Sequence, residues 1–286
     1  MRSKGHAVHQ LMFNAQNDSS ISQGTFIAPT LIELPNLDDL QREVFGPVLH
    51  VIRYKYGQLP QLLEQINAKG YGLTMGLHTR IDETIQTVIA HAEVGNLYIN
   101  RNIVGAVVGV QPFGGEGLSG TGPKAGGPLY LYRLMQHCSA KKLAIPFATQ
   151  AAPQQATVQP LYELFHAWAT QTFPNYALTP VPAFCAGQHY ELQGPTGESN
   201  QYVVLPRKRV LSLATHEQDQ IQQWCAIFAV GSQPVVMADN PFVLKYLAQM
   251  PKEISHSLKV IQHIERDDFD AVFTIGLHHH SEIFVI

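Results

Sequence analysis

The sequence predicts an α/β protein in two pieces, the second smaller and Rossmann-like. Three observations predict it. Short β-rich runs alternate with segments whose apolar residues recur at helical spacing, and they do so in both halves of the chain. A stretch rich in Ala, Gln, Pro and Thr interrupts the alternation at residues 141–159, as a linker would. The length, 286 residues, also fits two domains.

Taken in order, Ala7 to Phe13 reads as a strand. Gly24 to Glu33 is extended and β-rich but broken by Pro29, so it is expected to be an irregular strand. Val48 to Tyr54 is a clearer one. Leu59 to Ala68 puts Leu62, Leu63 and Ile66 on one helical face and is closed by Gly70. A strand is expected from Leu73 to Thr79. A helix from Asp82 to Ala92 follows, with Ile81, Ile85, Val88 and Ile89 as its buried stripe, and then a strand from Val94 to Asn100.

Beyond the linker, Leu161 to Thr170 is a short amphipathic helix and Tyr176 to Gln188 is irregular. Strands are expected at Arg209–Ala214, Pro234–Met237, Lys259–Ile261 and Ala271–Ile275. Helices are expected at Glu217–Val230 and Pro241–Met250. The domains read as 1–140 and 160–286. Both ends read as cut through an element, because a strand stands almost at the start and the apolar run Ile283 to Ile286 stands at the finish.

Composition narrows the function. The chain is 45% hydrophobic and 14% charged, with a net charge of −3, so it presents no excess of positive charge for nucleic acid or anionic lipid. No apolar run approaches a membrane span, and the N-terminal residues lack the apolar core of a signal peptide. Cys138, Cys185 and Cys225 are few, odd in number and without CxxC spacing. That favours reduced thiols in the cytoplasm over a disulfide framework.

The run Gly114 to Gly120 (GGEGLSG) contains a G-x-G-x-x-G, the pattern of a dinucleotide-binding turn. The surrounding sequence argues against that use. Pro112 stands where a strand should end, and Gly122, Pro123, Gly126, Gly127 and Pro128 cannot start a regular helix. No Gly-Lys-Ser/Thr is present for a P-loop. His278, His279 and His280 are adjacent, but consecutive residues of an extended run face opposite ways, and only Glu282 stands near them as a further ligand. A solvated polar edge is expected there, and no metal.

Three runs carry a family resemblance. Glu43 to Val48 (EVFGPV) resembles the E-x-F-G-P-V segment of aldehyde dehydrogenases. Asn67 to Thr79 is similar to the segment that follows in that family, and Asn100 to Gly120, with Pro112-Phe113-Gly114-Gly115 inside it, is similar to its late active-site loop. Gly105 to Phe113 resembles the substrate-anchor loop of L-glutamate-γ-semialdehyde dehydrogenases. The run from Gly24 to Arg133 resembles the dehydrogenase portion of the bifunctional proline-catabolic flavoenzymes, the proline utilisation A family. The second half is similar, more weakly, to the C-terminal region of their long forms.

The resemblance implies a fold, the C-terminal portion of an aldehyde dehydrogenase catalytic domain followed by a Rossmann-like α/β domain. It also implies roles. Glu43 would bind the nicotinamide-ribose hydroxyls of NAD, accepting from both, although by residue type alone a surface carboxylate is the commoner reading. Phe45 would lie beside the nicotinamide. The backbone amides of Gly105 and Ala106 would donate to the substrate α-carboxylate. Some relatives carry a hydroxyl residue at the position of Ala106, so one side-chain bond would be missing. Phe113 would cover the aliphatic part of the substrate, L-glutamate-γ-semialdehyde, a role compatible with that of a core aromatic. The glycine-rich stretch would be a turn that lets backbone pass close to its neighbours.

Oxidising an aldehyde in this way needs a cysteine nucleophile, a general base and oxyanion donors. In the family all three lie farther ahead of Glu43 than this chain extends. The catalytic set is therefore expected to be absent. Cys138 echoes the nucleophile's C-S-A but lies on the wrong side of the motif order, and Cys185 and Cys225 have no nearby basic partner.

In the second half, Gly194 to Asn200, Pro206 to Leu211 and Ala229 to Ser232 echo an aldehyde dehydrogenase nucleotide domain. Lys208, Ser232 and Asp239 depart from that pattern, so a degenerate copy without its own nucleotide is expected. The leading expectation is a fragment of an NAD-dependent enzyme that is homo-oligomeric and cytoplasmic when intact, with peripheral membrane association open to it and FAD confined to a proline dehydrogenase domain outside this chain. The remainder of the enzyme, upstream, would be its partner. The rival is a non-catalytic assembly or scaffold module derived from aldehyde dehydrogenase.

Overall fold

The computed structural model describes residues 1–12, 23–120, 122–135, 159–176, 178, 189–265, 268–273 and 283–284. They form two compact units, one of residues 1–105 with 114–122, the other of residues 106–113 with 123–286.

In the first unit, strands β1 (Ala7–Gln10), β2 (Thr30–Leu34) and β3 (Val48–Ile52) form one sheet, with β1 antiparallel and β3 parallel to β2. The parallel pairing needs a crossover. It passes through a short turn whose leading Asn36 accepts from the N–H groups of Asp38 and Asp39 at 3.0 and 3.2 Å.

Helix α1 (Leu59–Ala68) carries Pro60 in its first turn, where a missing N–H costs nothing. In its last turn stands Asn67, whose side chain donates to His91 O at 2.7 Å and accepts from Glu93 N–H at 3.1 Å. Asn67 thereby ties α1 to the end of α2 (Asp82–His91). Helix α2 joins the parallel strands β5 (Thr74–Leu77) and β6 (Asn96–Ile99), the expected strand–helix–strand unit.

Leu63 and Val88 are each only 2% exposed. The stripe expected on α2 is corrected in part: Val88 is buried and Ile85 half-buried, whereas Ile81 and Ile89 are 55% and 50% exposed. The helical spacing was right. A single buried edge of the helix is narrower than the apolar face the pattern describes.

The second unit begins its regular structure with α3 (Pro160–Thr172) and the antiparallel hairpin β8 (His189–Leu192) and β9 (Asn200–Val203). Then follow β10 (Arg209–Ser212), α4 (Glu217–Ala229), β11 (Gln233–Met237), α5 (Pro241–Tyr246), α6 (Lys252–Ser257), β12 (Lys259–Ile261), β13 (Ala271–Phe273) and β14 (Ile283–Phe284). The sheet order is β12-β11-β10-β13-β14, parallel except for β14. With β10 as the first strand, this is the 3-2-1-4 winding of a Rossmann half.

Val210, Leu211, Ile227, Val235 and Val236 are all at most 5% exposed. On one side of the sheet Phe165 of α3 packs against Phe228 at 5.2 Å between ring centroids and edge-on to Trp224 at 6.3 Å.

Two expectations change here. The single helix expected over Pro241–Met250 stops at Tyr246, and a second one, α6, starts after Pro251, because proline disfavours helical backbone at the residue before it. The hairpin β8–β9 was not expected. The expected irregular run 176–188 lies outside the described residues apart from Tyr176 and Leu178, and the linker 141–159 does so apart from Gln159.

Candidate active site

Glu43 and Phe45 lie in the segment that enters β3. Gly46, at φ +146°, takes a backbone shape closed to other residues, and its carbonyl accepts from Val48 N–H at 2.8 Å. Pro47 O accepts from Thr30 N–H at 2.9 Å, so the exit of the segment is fixed to β2. The Glu43 side chain is exposed and has no hydrogen bond or ion pair among the described residues. Phe45 is 89% exposed. Among the described residues, an uncommitted carboxylate and an open aromatic ring thus stand two residues apart, just ahead of the point where the backbone joins β2.

The long loop after β6 starts at Asn100, a non-glycine residue at φ +57°. Its side chain donates to Thr79 O at 2.9 Å and accepts from Thr79 N–H at 3.0 Å, a reciprocal pair that holds the strained residue in place. The Arg101 guanidinium sits 4.8 Å from the Tyr98 ring centroid. Val104 N–H donates to Asn102 Oδ1 at 3.2 Å. The next two N–H groups, of Gly105 and Ala106, have no acceptor among the described residues.

In the second unit the loop closes on itself. Val107 O accepts from the N–H groups of Val110 and Gln111, both at 3.0 Å, and Val107 N–H donates to the side-chain Oε1 of Gln111 at 3.0 Å. Phe113, half-buried, exchanges backbone hydrogen bonds with Ala125 at 3.0 and 2.9 Å.

The glycine-rich run is a knot of backbone contacts. Glu116 and Gly117 form a short strand, β7, antiparallel to β4 (Tyr71–Gly72). Gly117 has φ +58°. A Cβ on Gly95 would lie 1.7 Å from Gly114 O, so only glycine lets these backbones meet. Ser119 Oγ accepts from Gly72 N–H at 3.1 Å, and Asn96 Oδ1 accepts from Gly114 N–H at 3.2 Å. The turn expected from the sequence is what the structure has, and no helix begins within it.

Cys225 is fully buried, and burial pushes its thiol up to about 11, so it stays protonated and unreactive. Cys138, Cys185 and His278 to His280 lie outside the described residues. Among the described residues no group of three His, Cys, Asp or Glu side chains is placed to hold a metal ion, and no helix is long and apolar enough to cross a membrane. Two open hollows flank β1, one lined by His9, Leu11, Pro29 and Pro47 and the other by Arg2, Met12, Phe26 and Ile27. Neither includes an expected site residue.

The profile described as "Aldehyde dehydrogenase family" matches residues 3–139, the stretch that holds every one of these loops. Residues 3–139 belong to the aldehyde dehydrogenase family. Beyond the aldehyde dehydrogenase segment, similarity continues through nearly the whole chain. The "Bifunctional protein PutA" of Escherichia coli (strain K12) is 50% identical over 288 aligned residues, which take in 96% of this chain and 22% of that protein. The chain thus spans about a fifth of the length of that curated relative. The "1-pyrroline-5-carboxylate dehydrogenase 1" of Halalkalibacterium halodurans is 46% identical over 129 residues, 44% of this chain and 24% of that protein.

Among solved structures, proline utilization A from Corynebacterium freiburgense covers 89% of this chain and is itself covered to 26%, with a TM-score of 0.52 at 23% identity. That likeness supports the fold alone. Sequence reasoning did not single out Gln111 or its partners Glu198 and Asn200. A polar side chain in the middle of the apolar anchor run was the signal that marked Gln111.

Proposed function

We propose that this chain supplies part of the cofactor and substrate site of an NAD-dependent L-glutamate-γ-semialdehyde dehydrogenase. In the whole enzyme the semialdehyde, in equilibrium with cyclic pyrroline-5-carboxylate, is oxidised to glutamate. The observation that carries this reading is a pair of similarities in a chain whose residues 3–139 match the aldehyde dehydrogenase family. One is to a protein named for 1-pyrroline-5-carboxylate dehydrogenase, 46% identical over 129 residues, and the other is to PutA, 50% identical over 96% of this chain.

Each candidate residue would act as its geometry permits. NAD, when bound, supplies the hydride acceptor. Glu43, with both carboxylate oxygens uncommitted, accepts from the two hydroxyls of the nicotinamide ribose, and the exposed ring of Phe45 packs beside the nicotinamide. The amides of Gly105 and Ala106, without an acceptor among the described residues, would donate to the substrate α-carboxylate. Phe113 covers the substrate's methylene groups. The nucleophilic thiol, the base and the oxyanion donors come from sequence outside this chain. The same reading makes the intact enzyme a cytoplasmic homo-oligomer.

The test is an assay of the full-length protein that contains these residues, given semialdehyde and NAD. NADH should form, and Ala106→Pro, which removes one anchor N–H, should raise KM more than it lowers kcat. Absence of NADH formation with a folded, full-length protein would refute the assignment. Glu43→Gln should slow hydride transfer roughly tenfold, about 1.4 kcal/mol of lost positioning.

A further inference from the structure

Gln111 reaches in two directions. Its Oε1 takes the N–H of Val107 within the anchor loop. Its Nε2 donates out of the loop, to Asn200 Oδ1 at 2.8 Å and to Glu198 Oε2 at 3.3 Å. Glu198 lies in the turn between β8 and β9 and Asn200 opens β9, both in the half of the chain that the aldehyde dehydrogenase profile does not reach. That turn is itself built to meet the loop. Glu198 N–H donates to Pro195 O at 3.1 Å, and Gly197 sits at φ +89°. A Cβ on Gly194 would come within 2.2 Å of Asn200 Nδ2 and 3.6 Å of a Val110 methyl, so the turn lies directly on the loop. The Asn200 amide must present its oxygen to Gln111, since the reverse would set two N–H donors face to face.

We propose that Asn200, with Glu198, is a positioning residue for the substrate anchor: the β8–β9 turn holds Gln111, and Gln111 holds the loop. The inference rests on the reading of Gly105 and Ala106 as a carboxylate anchor and adds to it a specific job for the C-terminal half. The physical reason is the loop's own poverty of contacts. Val104 and Val108 are 92% and 98% exposed, so little packing fixes the peptide units on which the two free amides depend. With Val107 N–H occupied by Gln111, the peptide that follows Ala106 has a defined plane. Supporting bonds of this kind hold the binding groups in the geometry that recognition needs.

The experiment uses the full chain in solution and reads two things by amide NMR. One is hydrogen exchange at Val107. The other is the shift of the Gly105 and Ala106 resonances on titration with L-glutamate, the product that carries the same α-carboxylate. Asn200→Ala and Gln111→Glu should each speed Val107 exchange about fivefold to tenfold, the worth of one hydrogen bond, and should weaken the glutamate response by a similar factor. Asn200→Asp keeps an acceptor for Gln111 and should restore both. Glu198→Gln, on an exposed and longer bond, should move both less. Unchanged Val107 exchange and glutamate response in folded Asn200→Ala would overturn the brace. A wild-type chain that gives no response to glutamate, with Val107 exchange still sped by Asn200→Ala, would uphold the brace and refute the anchor.

Discussion

Asn240, at the head of α5, donates a side-chain N–H to Oε1 of Gln220 on α4 across 3.0 Å. The network continues inward. Gln220 Nε2 donates to Ser212 Oγ in a short contact, and Ser212 Oγ donates to Gln223 Oε1 at 2.7 Å. All four residues are at most 9% exposed. They fill the carboxyl ends of β10 and β11 and the first turns of α4, where a Rossmann half receives a nucleotide. Glu217 and Asp219 in the first turn of α4 add negative charge at a helix end that would otherwise favour phosphate. Titration of the full chain with NAD should leave the amide resonances of Ser212, Gln220 and Asn240 unmoved. Saturable shifts there would make this crevice a cofactor site.

The same network makes Asn240 costly to lose. Its Oδ1 caps α5, accepting from Phe242 N–H at 2.9 Å and Val243 N–H at 3.2 Å, while its Nδ2 satisfies buried Gln220. Asn240→Ala removes a cap worth about 1 kcal/mol and leaves a buried acceptor short of a partner, about 1–3 kcal/mol more. Asn240→Asp keeps the cap and should cost less. Urea unfolding followed by tryptophan fluorescence would rank the two. Equal losses would mean that the cap contributes nothing.

Glu217 sets an acid limit on this unit. Tyr176 Oη donates to it at 2.5 Å, Lys245 Nζ at 2.9 Å and Tyr246 Oη at 2.7 Å, and these bonds hold its carboxyl down to about 2 from an ordinary 4.5. The Tyr176 phenol, pushed up to about 12 chiefly by its bond to Glu217, keeps its proton throughout the acid range. A carboxyl with a depressed folded pKa stabilises above its unfolded value, and that stability is lost as pH falls from 4.5 toward 2. The side chain is 24% exposed, so screening trims the effect to on the order of 2 kcal/mol. Glu217→Gln should flatten this part of the stability profile, measured by urea unfolding from pH ~5 to ~2.5. An unchanged slope would assign the acid sensitivity to other groups.

In the first unit, Gly95→Ala tests the packing of the glycine-rich turn. The added methyl would collide with Gly114 O, a backbone atom pinned by its neighbours, so a loss of about 3 kcal/mol or more is expected. Gly5→Ala meets nothing within 4 Å but sits at φ +83°, so its smaller loss measures backbone strain alone. Equal costs at the two sites would remove close approach as the reason for glycine at 95.

Much of this fold was legible because helical spacing and β-rich runs are local signals. Helix α1, Leu59–Ala68, and strand β12, Lys259–Ile261, fall where the sequence put them, and β10 and α4 differ by a residue or two. The missed hairpin β8–β9 shows the limit. Its residues His189–Leu192 and Asn200–Val203 mix polar and apolar side chains and, apart from buried Tyr190, are exposed or partly buried, and the Gly194 to Asn200 run read as the echo of a nucleotide domain. The Gln111 contact to Asn200 was hidden for a different reason. It joins residues 89 apart in the chain, and no local pattern carries a pairing of that separation. Glu43 and Phe45 were singled out only through their motif, since exposure alone marks many surface residues.

The last prediction concerns chemistry the chain should lack. Oxidation of an aldehyde through a thioester needs a thiolate. Cys225 is buried among Phe165, Trp224 and Phe228, and its thiol is held in the protonated form. Cys138 follows the glycine-rich turn in the sequence, whereas the family order sets the nucleophile ahead of Glu43. The purified chain should therefore form no NADH from pyrroline-5-carboxylate and NAD. On the proposed reading, a control with the full-length protein, assayed alongside, should form it readily. Steady NADH formation by the chain alone, abolished by Cys138→Ser and retained in Cys225→Ser, would make Cys138 a nucleophile and overturn the assignment of the thiol to sequence outside this chain.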